Sequence, residues 1–152
     1  MRVAFCDLDG VLVLPTGHCQ ADPECVKQLN RVTQKTGAML VLTSTWRRQG
    51  FPAMRRQLRE WGVAGVLYDL TKDLSETRNG LVVGVERGVE VKAWLDEHAV
   101  SGYVILDDDK DFTGLEQHLV QTNSYVGLTK ADADKAIEML RQNLTKEKAS
   151  AQ

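Results

Sequence analysis

Three short apolar runs, each ending abruptly in oxygen-bearing side chains, constrain this chain more than any other feature. Arg2–Cys6 runs into Asp7-Leu8-Asp9-Gly10, Ala38–Leu42 ends at Thr43-Ser44-Thr45, and Tyr103–Leu106 runs into Asp107-Asp108-Asp109-Lys110-Asp111. None alternates polar with apolar, so each reads as a strand buried on both faces. Helical patterns lie between them. Asp22-Pro23-Glu24 reads as N-cap, first helical position and acidic first turn, with Val26, Leu29 and Val32 as the apolar face and Gly37 as the stop. Pro52 opens a second helix with Met54, Leu58 and Trp61 on one face, and Glu90–His98 predicts a third with Val91, Trp94 and Leu95 inward. Thr129-Lys130-Ala131-Asp132 has the form of a capping box before a helix whose buried stripe is Ala133, Ala136, Ile137 and Leu140. Val63–Tyr68 and His118–Gln121 are further strand candidates, Asn79-Gly80 predicts a small hairpin, and Lys146–Gln152 reads as a frayed tail. Strands alternating with helices predict an α/β fold: a parallel sheet covered on both faces, in one domain over residues 1–145.

In such sheets ligands bind beyond the carboxyl ends of the strands. That rule brings Asp7, Asp9, Thr43, Ser44, Asp107 and Asp108 to one edge. Carboxylates so close together are costly unless a cation sits among them. Magnesium suits the set, because it prefers oxygen donors and sits between carboxylates and a phosphate. Beside a metal, one aspartate can attack phosphorus and another can carry the proton. A hydroxyl on the neighbouring strand can hold a phosphoryl oxygen, and a nearby cation can complete the clamp.

These residues resemble the haloacid dehalogenase-like (HAD) superfamily. Asp7-Leu8-Asp9-Gly10-Val11 is similar to its motif I, Leu42-Thr43-Ser44 to motif II, and Leu106-Asp107-Asp108 with Asp111 to the acidic motif IV. More narrowly, the stretches VLTSTWR, RGVEVKAWL, YVILDDD and GLT resemble the HAD domain of Swiss-Army-knife RNA repair proteins. The resemblance implies a three-layer Rossmann-like fold and a Mg2+-dependent phosphatase working through an aspartyl-phosphate. It implies Asp7 as nucleophile and metal ligand, and Asp9 as acid/base with its backbone carbonyl on the metal. Thr43 would bind the phosphoryl group, helped by Ser44, and Asp107 or Asp108 would complete the metal site. Arg87 and Lys92 both lie where the motif III cation is expected, Arg87 being preferred. Trp46 and Arg47 adjoin Ser44 as candidate substrate contacts.

The intervals between motifs are too short for a large cap, so a minimal or absent cap and an open site are expected. An open site admits a phosphorylated small molecule or a nucleic-acid end. Arg47, Arg48, Arg55, Arg56 and Arg59 gather around one helix and suit phosphate contacts, although a charge run on a helix is more often a solvated face. Two other readings stay open: a HAD-like binding module without catalysis, and a phosphomutase.

The bulk properties exclude other classes. With 152 residues, a net charge of −2 and 43% apolar residues, the chain has no global field for nucleic acid or membrane. Three cysteines without metal-type spacing argue against a disulfide framework and for a reducing, cytoplasmic setting. The first apolar run meets Asp7 and Asp9 at once, unlike a secretory leader, and no run is long enough for a membrane span.

Overall fold

The computed structural model describes the backbone of residues 1–150 and the side chains of residues 1–142. Strand β1 (Arg2–Cys6) is the central strand of a five-stranded parallel sheet. β2 (Met39–Leu42) and β3 (Leu67–Leu70) extend the sheet on one side. β6 (Gly102–Asp107) and β7 (Leu119–Gln121) extend it on the other. The order is therefore β3-β2-β1-β6-β7, all neighbours parallel.

The central position explains the all-apolar composition of β1. Ala4 and Cys6 face one core, with Val26, Leu29 and Val32 of α1 (Pro23–Thr36), Met54 and Leu58 of α2 (Phe51–Glu60), and Ala133, Ala136, Ile137 and Leu140 of α4 (Lys130–Ser150). Val3 and Phe5 face a second core, with Val91 and Trp94 of α3 (Arg87–Asp96) and with Phe112. Period-2 alternation survives in β1, but both faces are apolar because both are covered. The result is a three-layer, Rossmann-like α/β/α arrangement.

Local signals set the helix ends. The Asp22 carboxylate accepts from the N–H groups of Glu24 (2.9 Å) and Cys25 (3.2 Å), and Gly37, at φ 70°, closes α1 by donating to Thr33 O at 2.9 Å. Thr129 and Asp132 exchange bonds of 3.0 and 3.1 Å as a capping box before α4. The stripe expected for α4 is buried; the tail expected over residues 146–152 falls among those whose side chains are outside the described residues.

Several boundaries differ from expectation, three of them with a visible cause. The third strand is Leu67–Leu70 rather than Val63–Tyr68. A Cβ on Gly65 would lie 2.9 Å from Thr33 Cγ2, so the chain first crosses closely over α1 before it joins β2. α3 starts at Arg87, three residues before the predicted start. The last strand begins at Leu119 because Glu116–His118 form a 3₁₀ turn.

Between β3 and α3 the only insertion is a hairpin, β4 (Glu76–Arg78) and β5 (Leu81–Val83). Asn79 and Gly80 turn it with φ of 51° and 77°, the left-handed pair of a two-residue type I′ turn. All six of its strand residues are exposed, and it is not hydrogen-bonded to the main sheet. Among the described residues no larger cap is present, and no helix is long and apolar enough to cross a membrane.

Candidate active site

The parallel ladder carries the three predicted strand ends to one edge. Asp7 N–H donates to Leu106 O (3.0 Å), Thr43 N–H to Cys6 O (3.1 Å), and Thr122 N–H to Asp107 O (2.9 Å). These bonds fix the backbones of motifs I, II and IV side by side.

After β1 the chain makes one helical turn. Leu8 O accepts from the N–H groups of Val11, Leu12 and Val13 at 2.9–3.2 Å, and Leu8, Val11 and Leu12 are wholly buried. Pinning Leu8 inward separates the two aspartates. Asp7 is buried, its Oδ1 accepting Leu8 N–H at 2.8 Å; Asp9 is exposed, its Oδ2 accepting the Trp46 indole N–H at 3.1 Å. Trp46 meets Trp61 edge-on (5.5 Å between centroids), and Trp61 Nε1–H donates to Gln20 Oε1 at 3.0 Å. Trp46, expected at the substrate, is thus a partner of Asp9.

Gly10 holds the two halves of the site together. Its φ is +80°, and a Cβ there would lie 2.2 Å from Asp108 Oδ2. Only glycine permits both the turn and that approach. Thr122 Oγ1–H donates to Gly10 O (2.7 Å), and Ser124 Oγ–H to Asp108 Oδ2 (2.9 Å). The sequence reading missed Thr122 and Ser124. Their signal was the same one used elsewhere, since both lie just past a strand end.

Oxygens of Asp7, Asp107 and Asp108 all lie within 4.8 Å of one another. Arg87 Nη1 bridges this cluster, 3.1 Å from both Asp7 Oδ2 and Asp107 Oδ2. Asp111 sets this geometry by capping α3. Its Oδ2 accepts Arg87 N–H and its carbonyl accepts Gly88 N–H, each at 2.9 Å. Gly88 allows the contact, because a Cβ there would sit 2.8 Å from Phe112 Cα.

Three expectations change here. Of the two motif III candidates, Arg87 is at the carboxylates, whereas Lys92 pairs with Asp96 on the exposed side of α3. Arg47 is buried and salt-bridged to Glu90 at 2.8 Å, away from solvent. Ser44 Oγ caps the 3₁₀ turn Thr45–Gln49 by accepting Trp46 N–H at 3.3 Å. The Asp9 side chain lies outside the three-carboxylate cluster, and the expectation for Asp9 at the metal concerned only its backbone carbonyl. Of the arginines grouped by the sequence, Arg48 pairs with Asp73 at 3.0 Å, while Arg55, Arg56 and Arg59 stand exposed on α2.

The electrostatics express the crowding. Burial, reinforced by the charge of Asp7, pushes the Asp107 carboxyl up to about 8. Burial also raises Asp7, against the pull of Arg87. Arg87 loses by burial but gains more from Asp7 and Asp107, and is held above its ordinary value. Burial, then Asp7 and Asp107, push the Cys6 thiol well above its usual range, so it stays a neutral core group. The carboxylates retain an unmet demand for positive charge that a single guanidinium does not remove. An all-oxygen, anionic, partly desolvated donor set of this kind fits a hard divalent cation, held by Asp7, Asp107 and Asp108. Thr43 Oγ1 is buried with no hydrogen-bond partner, a free polar group at the end of β2.

Comparison with curated proteins returns no match. Comparison with family models returns one that spans the three motif-bearing strands and most of the chain: the HAD domain in Swiss Army Knife RNA repair proteins, matched over residues 3–133. The strand-end carboxylates, the bridging arginine and this match agree, and the chain belongs to that family of HAD domains.

Proposed function

We propose that the protein is a Mg2+-dependent phosphohydrolase that acts through an aspartyl-phosphate on Asp7. The observation that carries this is Arg87 Nη1 lying 3.1 Å from both Asp7 and Asp107, within a cluster of three carboxylates. When bound, the divalent cation supplies charge that keeps the carboxylates ionised and offsets the charge of the phosphoryl oxygens. Asp7 attacks phosphorus, and Asp9 gives its proton to the departing ester oxygen. Asp9, now a carboxylate, takes a proton from the water that splits the aspartyl-phosphate, which frees phosphate and restores Asp7. Arg87 and the Thr43 hydroxyl hold the phosphoryl oxygens through both steps. The contacts of Arg87 with Asp7 and Asp107 support this reading over a binding module without catalysis.

The substrate class is a nucleotide or a phosphorylated nucleic-acid end. The RNA repair context of the family supports it, as do the open edge and the exposed arginines on α2. The test is phosphate release from an aryl phosphate and from 5′- and 3′-phosphorylated oligonucleotides, with Mg2+ or with chelator. Asp7→Asn should lower turnover at least about a thousandfold with the fold intact, as removal of a catalytic nucleophile does. Unchanged turnover in that variant would sink the mechanism.

A further inference from the structure

The two groups assigned to the phosphoryl oxygens belong to different parts of the fold. Thr43 follows β2, and Arg87 opens α3 on the opposite face of the sheet from α1, α2 and α4. One buried ion pair joins them. Arg47 Nη2 donates to both Glu90 oxygens, at 2.9 and 2.8 Å. The two side chains are 7% and 6% exposed. Arg47 Nη1 also donates to the Thr43 carbonyl. Glu90 lies on α3 one turn after Arg87, and its Oε2 accepts Leu74 N–H at 2.8 Å as well. The guanidinium therefore holds the backbone that carries the Thr43 hydroxyl, and the carboxylate holds the helix that carries Arg87.

The ion pair itself is a weak source of stability. Desolvating two charges offsets most of their attraction, and apolar residues of similar volume serve a core as well or better. Arg47 Nε is moreover buried without a partner, a further cost. What apolar side chains cannot supply is directional contact with the Thr43 carbonyl and the α3 turn at once.

We infer that Arg47 and Glu90 are positioning residues, whose ion pair sets the separation between the Thr43 hydroxyl and the Arg87 guanidinium across the phosphoryl site. This rests on the phosphohydrolase reading. The experiment compares wild type with the double variant Arg47→Met/Glu90→Leu and with Glu90→Gln, measuring melting temperature, kcat and KM for an aryl phosphate, and orthophosphate affinity in the presence of Mg2+. The double variant should melt a few degrees below wild type, because the Thr43 carbonyl and the Leu74 N–H lose their side-chain partners, and should stay folded. Its kcat should nevertheless fall about ten- to a hundredfold, because small misplacements of catalytic groups cost that much, and orthophosphate should bind more weakly. Arg47→Lys, which keeps the charge but not the fork, should recover only part of kcat.

A folded double variant with wild-type kcat and orthophosphate affinity overturns the inference while leaving the phosphohydrolase reading intact. So does a kcat loss that follows only the unfolded fraction. Should the double variant not fold, Glu90→Gln decides, and a folded Glu90→Gln protein with unchanged kcat overturns the inference. A wild type inert towards every phosphate ester, and blind to orthophosphate, removes the reading and this inference together.

Discussion

Asp7 and Asp9 are the same residue type two positions apart, and Leu8 makes them chemically unlike. Burying Leu8 turns Asp7 into the cluster of carboxylates and turns Asp9 out to solvent, where the Trp46 indole holds it. Trp46→Phe keeps the ring and its edge contact with Trp61 but removes that donor. We expect stability to change by at most about 1 kcal/mol, the worth of one partly exposed hydrogen bond. kcat should fall severalfold at constant KM, and a variant with unaltered kcat would show that the bond does not orient the acid. The buried carboxylates make a separate prediction. Asp107 is pushed up to about 8, and Asp7 is raised too, both chiefly by burial. Raised folded-state values mean that folding takes up protons between about pH 4 and pH 8. The Asp107 contribution is full below about pH 4 and is lost as pH rises through about 8, and that of Asp7 is lost in the same direction. Calorimetry in chelator should therefore show a melting temperature that falls from about pH 5 to about pH 8 on account of this pair. Mg2+, which binds the ionised forms, should raise it more at the higher pH. An equal Mg2+ shift at both pH values would contradict the assignment. At this scale the sequence discloses carboxylates at strand ends but not partnerships. Arg47 reads as a ligand until Glu90, 43 positions away, is known to hold it.

The elements that could be read from sequence are those whose ends are set locally. Asp22, Pro23 and Gly37 bound α1 through contacts within a few residues, and Asn79-Gly80 fixes the hairpin turn by itself. α3 is different. Glu86 makes no side-chain cap, and the cap comes from Asp111, 24 residues beyond Arg87. This is why the sequence places the start of the helix at Glu90 and prefers Arg87 to Lys92 only slightly. Asp111→Ala should cost about 1 kcal/mol, as lost helix caps do. It should also loosen Arg87, and lower kcat more than a substitution of equal thermal cost elsewhere on α3. Chemical denaturation together with kinetics checks this, and a kcat equal to wild type would separate the cap from the site. β3 was misplaced for a similar reason, since the tight passage of Gly65 over Thr33 depends on a helix already in place.

For the whole molecule, topology does most to create the site. The sheet grows to one side of β1 through β2 and β3 and to the other through β6 and β7, and the cluster forms where these directions diverge. The gathering of the strand ends at one edge followed from the order of apolar runs and helical patterns, whereas the strand order is seen only in the structure. Charge distribution was less legible, because a helix rich in arginine looks alike whether it binds phosphate or only water. Replacing Arg55, Arg56 and Arg59 by Gln should raise KM for a phosphorylated oligonucleotide and flatten its salt dependence, while leaving an aryl phosphate unaffected. Equal effects on the two substrates would mark that face of α2 as solvated only.

The hairpin between β3 and α3 has a consequence for how such a protein can change. Its turn brings the two strand ends together at Asn79 and Gly80, outside the main sheet and without a cap above the site. A sequence spliced into that turn enters and leaves the domain at almost the same point. It adds a loop-closure cost that grows only slowly with length and disturbs no ladder bond of the main sheet. The chain therefore carries a ready graft site at Asn79-Gly80, seven residues before Arg87 in sequence. Through it an added module can be joined to the domain without breaking the main sheet that carries the carboxylates.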